Sequence, residues 1–497
     1  MKIRFFLVVL ALGFALGAGF FTVNGRRLQP PPLRPFALTG VTVVDVVDGE
    51  LQPGMTVIVT GHSISNTGPT ATTPIPAGVT RIDAAGRYLI PGLWDLHTHD
   101  VLHPDFRNLY SPLLVSRGIT GVRNMDTYLR PQAAGREPEP QPNIDALEPR
   151  VVSSGRMING PGSRSQSSLL LRKESDARAA LDTLARAGSA FIKVYNGVPR
   201  EAYFALLKAA RQRGLDVVGH VPWAVSAAEA SDSGQKSIEH LTGMLLGCSA
   251  HESELRTRLV AARENSQNPL AVIERRTQVA AAETYDPARC SALGKRMAAN
   301  GTWHTPTLVN LRNRALEAAE RAALVGDERM RHDPTGTARV RLEEMTERPA
   351  KERSENQLVR ARETEIARLL HQSGVQFLAG SDMPTTLTVP GFSLHDELTL
   401  LVDRVGLSPL AALQSATINP ARFLGTIDSL GTVESGKQAD LVLLNGNPLA
   451  DIANTRQIEA VVLGGRYLDA EVVKELNERA LKAARWRRWA TALRFWR

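Results

Sequence analysis

The chain reads as an α/β protein: a (β/α)8 TIM-like barrel over residues 90–430, with a small β-sandwich domain assembled from its two flanks, 36–89 and 431–468. Three observations carry that reading. Short apolar runs alternate with helical stretches eight times between 90 and 430, as parallel strands joined by crossover helices do. Both flanks consist of β-branched runs separated by Gly and Pro. Five of the eight central runs end in a residue able to hold a metal, and barrels place their chemistry at the carboxyl ends of their strands.

The length of 497 residues suits a barrel plus an accessory domain, and 43% hydrophobic with 22% charged residues suits a folded protein. The net charge of +8 suggests a nucleic-acid partner until it is located. Residues 1–35 carry Lys2, Arg4, Arg26, Arg27 and Arg34 and no acid, and residues 471–497 carry eight Lys/Arg against three Glu. The body between them is slightly acidic, so a nucleic-acid groove across it is excluded as the leading reading. Cys248 and Cys290 form no Cys-x-x-Cys pair, which argues against a thiolate zinc site. Spacing alone leaves open whether they join as a disulfide.

Residues 1–28 predict a signal or membrane-anchor segment. Lys2 and Arg4 precede an uncharged run from Phe5 to Phe21, between a signal core and a spanning helix in length. Residues 29–35 form a Pro-rich linker. Leu38–Asp45 and Met55–Thr60 predict strands of the first flank. The barrel strands are expected at Ile90–His99, Thr120–Met125, Arg150–Ser154, Ala190–Tyr195, Asp216–His220, Ser237–His240, Thr302–Leu308 and Gln376–Asp382. An Ala/Arg/Glu-rich helical insertion over about 245–372 flanks the seventh. The second flank returns to strands through Ala439–Leu444 and Ile458–Tyr467. In the tail, 471–497, Trp486, Trp489, Leu493 and Trp496 recur on one helical face with arginines mostly elsewhere. That pattern predicts a basic, Trp-rich helix lying in a membrane interface, with docking on the protein body as the alternative. Together the two ends place the protein at a membrane surface or beyond one, in a bacterial periplasm or inner membrane.

The ligand candidates cluster by position. His97 and His99, two apart on a strand, project to one face. Lys193, His220, His240 and Asp382 end the fourth, fifth, sixth and eighth strands. A lysine inside Phe-Ile-Lys-Val-Tyr and a carboxylate after Ala-Gly-Ser are costly to bury unless paired or modified. One metal centre accounts for all six residues.

These pieces occur in order: Leu89–His99, Gly118–Arg123, Ile192–Tyr195, Gly219-His220, Ile238–Leu241, Thr305–Leu308, Gly380–Asp382, Ala416–Ala421 and Gly436–Val442. So arranged, the chain resembles the metal-dependent amidohydrolase superfamily, in its imidazolonepropionase-like and prolidase-like branch. The resemblance implies two divalent ions, zinc by default with cobalt or manganese also suited. It implies that His97, His99 and Asp382 hold one, His220 and His240 the other, and that an N-carboxylated Lys193 bridges them. It further implies that Asp382 is catalytic, shuttling a proton as a bridging hydroxide attacks a carbonyl.

The expected activity is hydrolysis of a C–N bond, amide or cyclic amide, in a small-molecule or short peptide-like substrate. A lactone or carboxylic ester is the nearest rival, and a non-catalytic binding protein on the same fold is the reading from another class. Some prolidase-like relatives have a Tyr three residues after the strand-five histidine and a His in the loop after the third strand. Here those places hold Trp223 and the His-free loop 159–168. Tyr195, Trp223, Arg164, His304 and His395 are the candidate substrate contacts.

Overall fold

The computed structural model describes residues 30–99, 106–126, 147–163, 165, 168–265, 270–325, 327–333, 349–385 and 387–495. The predicted anchor and Arg164 lie outside them.

The first flank supplies β1 (Phe36–Val44), β2 (Leu51–Thr60), β3 (Ser63–Pro69), β4 (Thr80–Asp83) and β5 (Tyr88–Pro91). At Gly92 the chain leaves that sheet and begins the central strands β6 (Leu93–Thr98), β7 (Ile119–Asn124) and β8 (Arg150–Ser153). Then come the short β9 (Ile158–Asn159) and β10 (Leu169–Leu170), followed by β11 (Ile192–Val194), β12 (Val217–Gly219), β13 (Ser237–Glu239) and β14 (Trp303–Thr305). The second flank supplies β15 (Leu441–Leu444), β16 (Ile458–Leu463) and β17 (Arg466–Leu468).

Both flanks enter one mixed sheet of order β17-β16-β15-β5-β1-β2-β3, with β4 also pairing β1. Where a two-sheet sandwich was expected, hydrogen bonds run through all eight strands. Register shifts in β1 between Leu38 and Val41 and between Val41 and Val43 let it bend, so that it meets β2 on one edge and β4 then β5 on the other. The sheet closes over Leu38, Val57, Val59, Leu89, Leu441 and Val462.

The central strands are parallel and pair as β6-β7-β8 and β10-β9-β11-β12-β13-β14. Backbone bonds continue between these groups. Ala190 N donates to Ser153 O, His304 N to Gln376 O, Leu378 N to His304 O, and Leu96 N to Ala379 O. The expected eighth strand, 376–382, is not a continuous ladder. It makes isolated parallel bridges from Phe377 to His304 and from Met383 to Thr98.

Helices fill the crossovers with ordinary local signals. Ala227–Asp232 starts on a capping box of Ser226 and Glu229. Pro287–Asn300 has Asp286 as its N-cap, proline in its first turn and a left-handed Gly301 at its end. The insertion comprises Met244–Gly247, Glu252–Asn265, Leu270–Glu283 and Pro287–Asn300 before β14, then Leu308–Arg314, Ala318–Val325 and Ala350–Gln372 after it. A Cys248–Cys290 disulfide ties the first of these helices to the fourth.

The C-terminal helix Ala470–Phe495 docks on the body. Leu476, Ala480 and Ala484 are buried, with Leu476 packed among Val115, Leu147, Val461 and Leu468. Arg488 donates to the carbonyls of Arg331 and Asp333. Small residues opposite the Trp face let the helix approach closely, and that contact holds it. Trp489 remains exposed. Among the described residues no helix is long and apolar enough to cross a membrane.

Candidate metal centre

Buried charge organises the base of the site. The Arg123 guanidinium on β7 is fully buried and donates to both oxygens of Glu239 on β13 at 3.0 Å. It also donates to Leu96 O at 2.6 Å and to Thr305 Oγ1 at 3.0 Å. Burial opposes the charge on Glu239, but Arg123 outweighs it, and the carboxyl titrates well below its usual range. Glu239 Oε2 lies 2.8 Å from His97 Nδ1. An ionised carboxylate only accepts, so His97 carries its proton on Nδ1 and its lone pair on Nε2. Burial, reinforced by the nearby Lys193 charge, keeps that ring neutral.

His97 Nε2 then faces Asp382 Oδ1 at 3.4 Å, one acceptor opposite another. His99 Nε2 is 3.0 Å from the same oxygen, and Asn310 Nδ2 donates to Asp382 Oδ2 at 2.6 Å. Donor atoms of His97, His240 and Asp382 lie within 4.8 Å of one another. The tight triad therefore brings His240 beside His97 and Asp382, where the sequence grouped His99 with them. His220 and His240 approach with ring centroids 5.0 Å apart. Asn196 Oδ1 accepts from His220 Nδ1, and Thr307 Oγ1 lies 2.6 Å from His240 Nδ1.

Lys193 is 1% exposed, and its Nζ has no hydrogen-bond partner among the described residues. Burial lowers its pKa to about 8. An unpartnered buried amine and two opposed acceptors both fit a centre that holds cations and a modified lysine.

The backbone turns these side chains inward at some cost. His240 (φ 56°), Thr307 (φ 49°) and Asp382 (φ 58°) occupy the left-handed region that residues with a Cβ disfavour. Gly219 and Gly380 provide room. A Cβ on Gly219 would lie 2.9 Å from Lys193 Cδ, and one on Gly380 would lie 2.8 Å from His97 Cβ.

The six predicted ligands converge on a cleft of about 1020 Å³, five of them in its wall and His97 behind Asp382. Tyr195 lines it, its ring 4.1 Å from that of His220. Trp223 lines it as well, donating to Glu274 and lying under the Arg263 guanidinium. Two predicted contacts are elsewhere. In the register of β14, Thr305 turns inward beside Glu239, so His304 points outward to Met297 Sδ at 3.4 Å. His395 is enclosed between Thr455 Oγ1 and Arg117 O, at 2.9 and 3.0 Å. Neither lines the cleft.

The chain matches the family model "Amidohydrolase family" over residues 88–468. Adenine deaminase of Rubrobacter xylanophilus is 48% identical over 58 residues, 12% of this chain and 10% of that protein. The matched segments of the curated relatives span less than a third of their lengths, from 9% to 29%. Among solved structures, bottromycin amidohydrolase aligns over 94% of this chain and 93% of its own, with a TM-score of 0.69 and 24% identity. A Xaa-Pro dipeptidase aligns over 88% and 100%, with a TM-score of 0.60 and 18% identity. These two share the fold. The family match covers most of the chain, including every candidate ligand, and the protein belongs to the amidohydrolase family.

Proposed function

We propose that the protein is a metal-dependent hydrolase of a C–N bond, amide or cyclic amide, in a small or peptide-like molecule. The observation that carries this is the lone pair of His97 Nε2 facing Asp382 Oδ1, beside the unpartnered Lys193 Nζ, at the base of an open cleft. The finer architecture belongs to the same proposal. The backbone bonds that join β8 to the β11 segment, β14 to Phe377 and Ala379 to β6 support a closed (β/α)8 barrel. His97, His99, His220, His240 and Asp382 would hold two divalent ions, zinc by default, with an N-carboxylated Lys193 between them.

Bound divalent ions supply an acidified water and polarise the scissile carbonyl. The chain's own residues do the rest. Burial raises the pKa of Asp382, but His240 and His99 outweigh it and keep the carboxylate ionised. Asn310 holds one oxygen, leaving Oδ1 to take a proton from the attacking water and pass it to the leaving nitrogen. Glu239 and Asn196 hold His97 and His220 in the ligand tautomer.

Leu245, Leu246, Leu259 and Arg314 also line the cleft. The Arg314 charge is felt at Tyr195, His220, His240 and Asp382. Apolar side chains and a cation in one cleft favour an amide that carries both an apolar group and a carboxylate. Hydrolysis of N-acyl amino acids, dipeptides, cyclic amides and lactones by the zinc-loaded protein tests this. The expected result is turnover of amides, abolished in Asp382→Asn while metal is retained. Turnover of lactones alone, or an active Asp382→Asn variant, contradicts it.

A further inference from the structure

The loop after β12 is gripped by the helical insertion through one indole. Trp223 Nε1 donates to Glu274 Oε1 at 2.7 Å, from the helix Leu270–Glu283. The Arg263 guanidinium lies 4.3 Å above the Trp223 ring, and Arg256 donates to the Trp223 and Val225 carbonyls. The same Glu274 Oε1 is 3.3 Å from Asn196 Nδ2, and Asn196 Oδ1 meets His220 Nδ1.

The direction of this chain of bonds follows from chemistry. An indole N–H can only donate, so Glu274 Oε1 must accept. The Asn196 atom facing that oxygen must then be the amide nitrogen. Asn196 Oδ1 therefore faces His220 and accepts from Nδ1–H. His220 is left with its lone pair on Nε2.

We propose that Glu274 is a positioning residue: it fixes the Asn196 amide and through it the metal-binding tautomer of His220, so that docking of the insertion helix makes the second ion site competent. The proposal rests on His220 holding a divalent ion, as in the function proposed above. Trp223 belongs to the device that sets this ligand as well as to the wall of the cleft.

The test uses the full chain with Glu274→Leu, Glu274→Gln and His220→Ala, read by zinc titration and by ¹⁵N spectra of the histidines in metal-free protein. In Glu274→Leu, His220 shifts toward a mixture of tautomers and the more weakly held zinc loses about 10–100-fold in affinity. Glu274→Gln keeps a carbonyl acceptor and restores both readouts. Wild-type tautomer and zinc affinity in Glu274→Leu overturn the proposal, provided His220→Ala loses an ion. If His220→Ala loses none, the ligand assignment itself falls, and the positioning role with it.

Discussion

Glu239→Gln removes one negative charge from the base of the site with almost no change in shape. The native carboxylate is fully buried and accepts from Arg123, Ser237 and His97. The amide keeps one acceptor and turns an N–H toward groups that already donate. Arg123, equally buried, then has no carboxylate in contact among the described residues. Breaking a buried ion pair from one side costs roughly 3–5 kcal/mol. His97 also loses the acceptor that holds its tautomer, which weakens metal binding by about 10–100-fold. Urea unfolding of metal-free protein measures the first effect, and zinc titration the second. A variant within about 0.5 kcal/mol of wild type, the range of a neutral surface change, with unaltered zinc affinity would refute the reasoning.

Lys193→Met tests the orphaned amine in metal-free, CO2-depleted protein. The folded-state pKa of Lys193, about 8, lies below the ordinary 10.5, so the unfolded chain binds the proton more tightly. Wild-type stability is therefore reduced below pH 8 and recovers as pH rises from about 8 to 10.5, by on the order of 3 kcal/mol. The Met variant lacks this rise, which unfolding curves at both ends of the range resolve; parallel pH profiles count against it. Leu476→Ala should cost about 2–5 kcal/mol by emptying the contact that docks the C-terminal helix. An unchanged unfolding midpoint in that variant would return the helix to a free, surface-binding role.

The six candidate ligands stood out in the sequence because metal-competent residues at the ends of buried strands have few other uses. Arg123 and Glu239 lie in equally apolar stretches, and the alternation Ser237-x-Glu239 put two polar groups on one buried face. That signal was present, but only Lys193 and Asp382 were read as buried charges in need of an explanation. Asn196, Thr307 and Asn310 sit just past strand ends, and their partners are 24, 67 and 72 residues away, so no local pattern pairs them. His304 was misassigned by register, since its neighbour Thr305 takes the inward position. The tail was read from its tryptophans, while its docking face is mostly alanine, which carries little apolar signal in a sequence. Strand eight is broken because Gly380 and the left-handed Asp382 give up ladder geometry to aim a side chain.

The central claim is that the six residues form one metal centre. Anomalous diffraction at the zinc edge from zinc- and bicarbonate-loaded crystals tests it most directly. The account predicts two zinc peaks in the cleft, one bound by His97 Nε2 and Asp382, the other by His220 Nε2, with a carboxylated Lys193 between them. Zinc confined to surface histidines such as His251, with the cleft empty and Lys193 unmodified, would contradict it.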